Sequence, residues 1–125
     1  MSIEAQIFGI QKSQETRAAE RFFKERKVKI HLVDLYDRPI AAGELKRFLD
    51  KFGWDLVLDR AGKAFQAAGL EYLKLSEDGW VARVQDEPRL LHLPLVRVGK
   101  ALAVGRDEPT WKAMLETKPA LKKLG

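Results

Sequence analysis

The chain reads as an α/β fold, in which one four-stranded mixed sheet is assembled from a strand-helix-strand unit, a helical insert over residues 40–88 and a strand-strand-helix unit. Three features lead there. An apolar run, an amphipathic helical pattern and a second apolar run open the chain. Helical spacing replaces alternation after Pro39, and two short apolar runs around Gly99-Lys100 then precede a last helical pattern.

Ala5-Gln6-Ile7-Phe8 is short and mostly apolar, and Gly9 marks its end, so it reads as a buried strand running into a loop. Ser13 is placed to cap a helix from about Gln14 to Arg26, with Glu15 in the first turn where the helix dipole favours a carboxylate. Ala18, Ala19, Phe22 and Phe23 give that helix one apolar face. Val28 to Val33 alternates well enough for a second strand, which Asp34 and Asp37-Arg38-Pro39 break. The right-handed crossover rule makes these two strands parallel.

Leu45, Phe48, Leu49 and Phe52 then recur at helical spacing, and Gly53 ends their helix. Leu56, Val57 and Leu58 suggest a short continuation, turned by Arg60-Ala61-Gly62. Phe65 with Leu70, and Trp80, Val81 and Val84, mark two further helical pieces. The segment has too few apolar residues for a core of its own, so it is expected to cap the sheet. Leu95–Val98 and Ala101–Val104 form a hairpin with glycine at the tight position, and Asp107-Glu108-Pro109 introduces a helix carrying Trp111, Met114 and Leu115. Strands and helices in this order make a thioredoxin-like βαβ-ββα topology within a single domain, residues 1–125.

Composition excludes several classes of function. The chain has 125 residues, 46% of them hydrophobic, and no cysteine. Thiol redox chemistry, disulfides and cysteine-ligated metals are therefore absent. No apolar run approaches the roughly 18 residues of a membrane span, and an acidic N-terminus argues against a secretion signal, so a cytoplasmic protein is expected. The net charge of +5 is unevenly placed: Arg17, Arg21, Lys24, Arg26, Lys27 and Lys29 face only Glu20 and Glu25, and Lys112, Lys118, Lys122 and Lys123 crowd the tail. No aromatic or glycine-rich nucleic-acid signature accompanies these charges, so direct nucleic-acid binding is not expected, whereas an acidic protein partner suits them.

The loop Gly9-Ile10-Gln11-Lys12-Ser13 ends a strand and opens a helix, where unpaired amides can hold an anion and Arg17 returns one turn later. Ser13 as a nucleophile would need a base. His92, beside Leu93-Pro94, is the better placed imidazole, and His31 reads as a strand residue. Pro94, at the entry to the third strand, is compatible with a cis bond. No metalloprotease, calcium-loop, phosphate-loop or dinucleotide motif is present. The scattered Asp34, Asp37, Asp50, Asp55 and Asp59 read as turn and helix-end residues. Trp54, Trp80 and Trp111 read as packing residues.

Ile7 to Ala19, His31-Leu32-Val33-Asp34-Leu35, Glu44 to Leu49 and Pro88 to Val96, taken in order, resemble the arsenate reductase (ArsC) and Spx-like family of thioredoxin-fold proteins. The resemblance runs from about Ala5 to Leu115. It implies a catalytic thiol at the position held here by Ser13, a basic residue four places on, kept as Arg17, and an arginine before the loop proline, where this chain has Leu93. A further arginine near the end of the second insert helix falls close to Arg60. The Spx-like branch implies contact with the RNA polymerase alpha subunit. A hydroxyl can form neither a thiol adduct nor a mixed disulfide, so thiol-dependent arsenate reduction is not expected. The expectation is a cofactor-free, non-redox binding or regulatory module with Arg21 and Lys24 on its partner surface. The alternative is a small-oxyanion binder or noncanonical enzyme using Ser13, Arg17, Arg60 and His92.

Overall fold

The computed structural model describes residues 3–70 and 73–116. Strand β1 (Glu4–Gly9), helix α1 (Gln14–Glu25) and strand β2 (Lys29–Asp34) open the chain. Helices α2 (Ala42–Phe52), α3 (Trp54–Val57), α4 (Lys63–Ala67) and α5 (Glu77–Asp86) follow, with a 3-10 turn at Pro88–Leu90. Strands β3 (Leu95–Val98) and β4 (Ala101–Val104) and helix α6 (Glu108–Glu116) complete it. Each element expected from the sequence is present, with ends shifted by a residue or so.

The strand order is β2-β1-β3-β4. β1 and β2 are parallel, with Ala5 opposite Ile30 and Phe8 opposite Val33. β3 runs antiparallel to both β1 and β4. Because side chains alternate along a strand, each strand serves two cores. Ala5, Ile7, Val96, Val98 and Ala103 pack beneath α1 and α6 with Phe22, Phe23, Trp111 and Met114. Phe8, Leu95 and Leu102 pack on the other face with Leu45, Phe48, Val57, Phe65, Trp80 and Val84 of the insert. The insert thus shares its core with the sheet. Burying each such large side chain contributes about 1.5–3 kcal/mol.

Caps set the helix ends. Ser13 Oγ accepts the Thr16 N–H at 3.1 Å, and Ser76 Oγ accepts the Gly79 N–H at 3.1 Å at the head of α5. Asp107 Oδ1 accepts the Thr110 N–H at 3.2 Å at the head of α6. Gly53, with φ +78°, ends α2 and starts α3. Two backbone bonds tie the insert to the loop before β3: Asp59 N–H to the Leu90 carbonyl at 2.9 Å and His92 N–H to the Val57 carbonyl at 2.7 Å. On the insert face of the sheet, Arg97 forks onto Glu44 at 2.7 and 3.2 Å and donates to Gln6 at 3.0 Å.

The three tryptophans are packing residues. Trp111 is fully buried against Phe22 and Phe23, with ring centroids 5.4 and 6.0 Å away. Trp80 stacks on Phe65 at 5.9 Å, with Trp54 tilted against it, 6.2 Å away. Among the described residues no helix is long and apolar enough to cross a membrane. The expected basic tail at Lys118, Lys122 and Lys123 lies outside the described residues.

Candidate functional site

Strand direction gathers four loops at one end of the sheet. β1 and β2 both finish there, β3 begins there because it is antiparallel to β1, and β4 returns there. Ligand sites in open α/β sheets form at such an end. The loops enclose an open groove of about 1070 Å³ lined by residues 10–15, Asp34, Tyr36, Asp59, Arg89, Leu91–Leu93 and Arg106.

The β1–α1 loop makes one wall. Gly9 lets α1 approach β1 closely, since a Cβ there would overlap the side chain of Thr16. Ser13 is half-buried. Its N–H goes to the Ile10 carbonyl at 3.1 Å and its Oγ to the Thr16 amide, which leaves the amides of Gln14 and Glu15 at the first turn without an intrahelical acceptor. The Leu93–Pro94 peptide is cis. Leu93 is buried in the insert core, and His92 stands exposed on the groove rim beside Gly105.

The opposite wall is a hydrogen-bonded cluster. Tyr36 donates its hydroxyl to Glu87 Oε2 at 2.8 Å, and Arg89 forks onto the same carboxylate with both contacts at 3.2 Å. Burial works to raise the Glu87 carboxyl, but the hydrogen bonds from Arg89 and Tyr36 and the guanidinium charge prevail, so it sits below its ordinary value. Tyr36 is pushed up by burial and by its bond to the Glu87 carboxylate.

Charge in the groove is balanced. Lys12, Arg89 and Arg106 line it together with Glu15, Asp34 and Asp59. Both arginines are already engaged, Arg89 with Glu87 and Arg106 with Glu108 at 2.7 Å. An anion entering here meets amides and Lys12, with carboxylates close by.

Of the residues singled out from the sequence, Ser13, His92 and the cis-proline loop share this groove. Arg17 lies one turn into α1 on its exposed side and folds back to the Gln11 carbonyl at 3.3 Å. Arg60 is turned away from the groove: it pairs with Asp55 at 3.3 Å and lies over the rings of Phe65 and Trp80, 5.7 and 5.9 Å from their centroids. Its neighbour Asp59, whose N–H bonds the Leu90 carbonyl, lines the groove instead. His31 is exposed on β2. Arg21 and Lys24 are exposed on α1, in line with Arg17. Tyr36, Arg89 and Arg106 were not singled out. Their signal was topological, since Tyr36 and Arg106 follow the ends of β2 and β4 and Arg89 lies in the connection that leads into β3, all at the same end of the sheet.

A mixed four-stranded sheet between two helices and a helical insert, with a cis-proline loop across from the start of α1, defines a thioredoxin-like α/β protein. The ArsC family model matches residues 8–114, and the chain belongs to the ArsC family. Solved structures agree in fold. The YffB protein is similar at 24% identity and TM-score 0.78, covering 89% of this chain and 98% of its own. An arsenate reductase from Vibrio cholerae is similar at 18% identity and TM-score 0.75, covering 93% and 98%. An arsenate reductase related protein from Brucella melitensis matches at 20% identity and TM-score 0.63, covering 93% and 96%. No curated protein matches the sequence.

Proposed function

We infer that this chain is a non-redox member of the ArsC family that acts as a binding or regulatory module in the cytoplasm. One observation carries the reading: the sequence holds no cysteine, and the residue at the resemblance's thiol position, Ser13, spends its oxygen on capping α1. The hydroxyl donates only a long bond, 3.5 Å, to the exposed Glu15 carboxylate, and no imidazole is hydrogen-bonded to it among the described residues. Thiol-dependent arsenate reduction therefore has no nucleophile here, while the fold that carried it is intact.

Binding is assigned to the outer face of α1, where Arg17, Arg21 and Lys24 line up exposed. An acidic protein surface complements it, and the RNA polymerase alpha subunit is the first partner to try because of the Spx-like resemblance. Capture of partners by the tagged chain near physiological salt tests the reading. A stoichiometric partner that the Arg21→Glu/Lys24→Glu variant loses is the expected result; capture unchanged by the reversal rejects that surface.

Small-oxyanion binding is the second reading, favoured by the amides at the head of α1 opening into the groove beside His92. Titration calorimetry with arsenate and phosphate separates the two. Heat of binding lost in His92→Ala supports the site, and no heat with either anion removes it.

A further inference from the structure

Strand β2 forms one margin of the sheet: it pairs with β1 on one side and with no described strand on the other. Two bonds at its ends fix which way its peptide groups turn. Lys29 donates its N–H to the Ile3 carbonyl at 3.2 Å and Leu35 donates to the Gly9 carbonyl at 2.8 Å. The odd-numbered residues therefore face β1, and with a period of two the N–H and C=O of Ile30 and Leu32 and the N–H of Asp34 face outward. The Asp34 carbonyl is taken by the amides of Asp37 and Arg38, which ends the open edge there.

Charge singles out this margin. The segment Arg17–Lys29 that leads into β2 holds six cations against Glu20 and Glu25, four of the five net positive charges of the chain. Arg26 and Lys27 form the turn into the strand and are exposed, as are Lys29 and His31 on the strand itself. Lys29 is only loosely engaged, 3.7 Å from an exposed Glu4.

We propose that the open edge of β2 takes an extended, acidic segment of a protein partner, which adds to the sheet as a fifth strand. The proposal rests on the binding-module reading and adds to the α1 face a second point of contact, at the edge of the strand that follows it. Backbone bonds to Ile30, Leu32 and Asp34 set the register, and the basic turn selects carboxylates. A second copy of this chain is the poorer occupant, because pairing two β2 edges sets two basic segments against each other. Lysine on an edge strand opposes that self-pairing.

The test uses the whole chain and a blocked synthetic peptide of alternating glutamate and threonine, near physiological salt. Amide exchange followed by NMR is expected to slow at Ile30, Leu32 and Asp34 when the peptide binds. A peptide N-methylated at alternate residues loses two or more backbone bonds and is expected to bind about tenfold or more weakly. Lys27→Asn with Lys29→Gln is expected to weaken binding and flatten its salt dependence; asparagine tolerates the left-handed backbone of Lys27, φ 60°. Binding that leaves the three amides unprotected, equal binding of the methylated peptide, or no binding of either peptide overturns strand addition. Partner capture that survives reversal at Arg21 and Lys24 instead overturns the α1 surface of the binding-module reading, and peptide binding at β2 is read separately from it.

Discussion

Ser13 shows how one residue can keep a structural task when the chemistry at its position differs. Its oxygen accepts the Thr16 N–H, so Ser13→Ala is expected to cost about 1 kcal/mol and to lower the melting temperature by roughly 3–5 °C, with Ser13→Asp close to wild type in thermal denaturation. Thr16 is fully buried with an unpartnered hydroxyl, pressed against Gly9. Gly9→Ala should therefore destabilise by about 1–3 kcal/mol in denaturant titration, and Thr16→Val should be neutral or stabilising because it removes an orphaned polar atom. The cap was legible in the sequence, since a short polar side chain before an amphipathic run has few other uses. The fate of Arg17 and Arg60 was not. Both depend on which way an exposed side chain lies, and that is set by a carbonyl at Gln11 and by rings contributed from α4 and α5.

Elements are joined by polar pairs that no local pattern reveals. Arg97 interrupts an apolar strand, yet its partner Glu44 lies in α2, and both are largely buried. Replacing Arg97 by Met leaves the Glu44 carboxylate with only the exposed Arg47, 3.9 Å away, and should cost about 1–3 kcal/mol at this partial exposure, whereas Arg97→Met with Glu44→Leu should recover much of that in a double-mutant cycle. The Tyr36, Glu87 and Arg89 cluster joins the end of β2 to the α5–β3 connection. The Glu87 carboxyl is lower folded than its ordinary value of 4.5. Its contribution to stability is thus present above the ordinary carboxylate range and is lost as pH falls through the folded value. The stability gap between wild type and Glu87→Gln should accordingly close on acidification, as measured by urea titrations at a series of pH values. Tyr36, raised above 10.0, acts in the opposite sense, losing its contribution only as strongly alkaline pH passes its folded value. Element types and order were readable because strand alternation and helical spacing follow from the backbone. Pairings across the insert were not, since they join residues some fifty positions apart.

At the scale of the whole molecule, absence of cysteine makes a simple forecast: treatment with a thiol-selective disulfide reagent or maleimide at neutral pH should leave the chain's mass and melting temperature unchanged. The groove itself was within reach of topology, because the strand directions bring Ile10, Tyr36, Leu93 and Arg106 to one end of the sheet. Its charge balance was not, since Arg89 and Arg106 are tied up by contacts made only in the folded chain. Strand order has one more consequence, in the time domain of synthesis. β1 is made before the other described strands and lies inside the sheet, with Ala5 opposite Ile30 on one flank and Val98 on the other. The nascent chain can form β1, α1 and β2 early, but the second flank of β1 stays bare until β3 has been made, some sixty residues after β2. Final assembly is consequently a late event governed by capture of the β3–β4 hairpin, and a chain cut short before Leu95 would carry its first strand as an exposed edge.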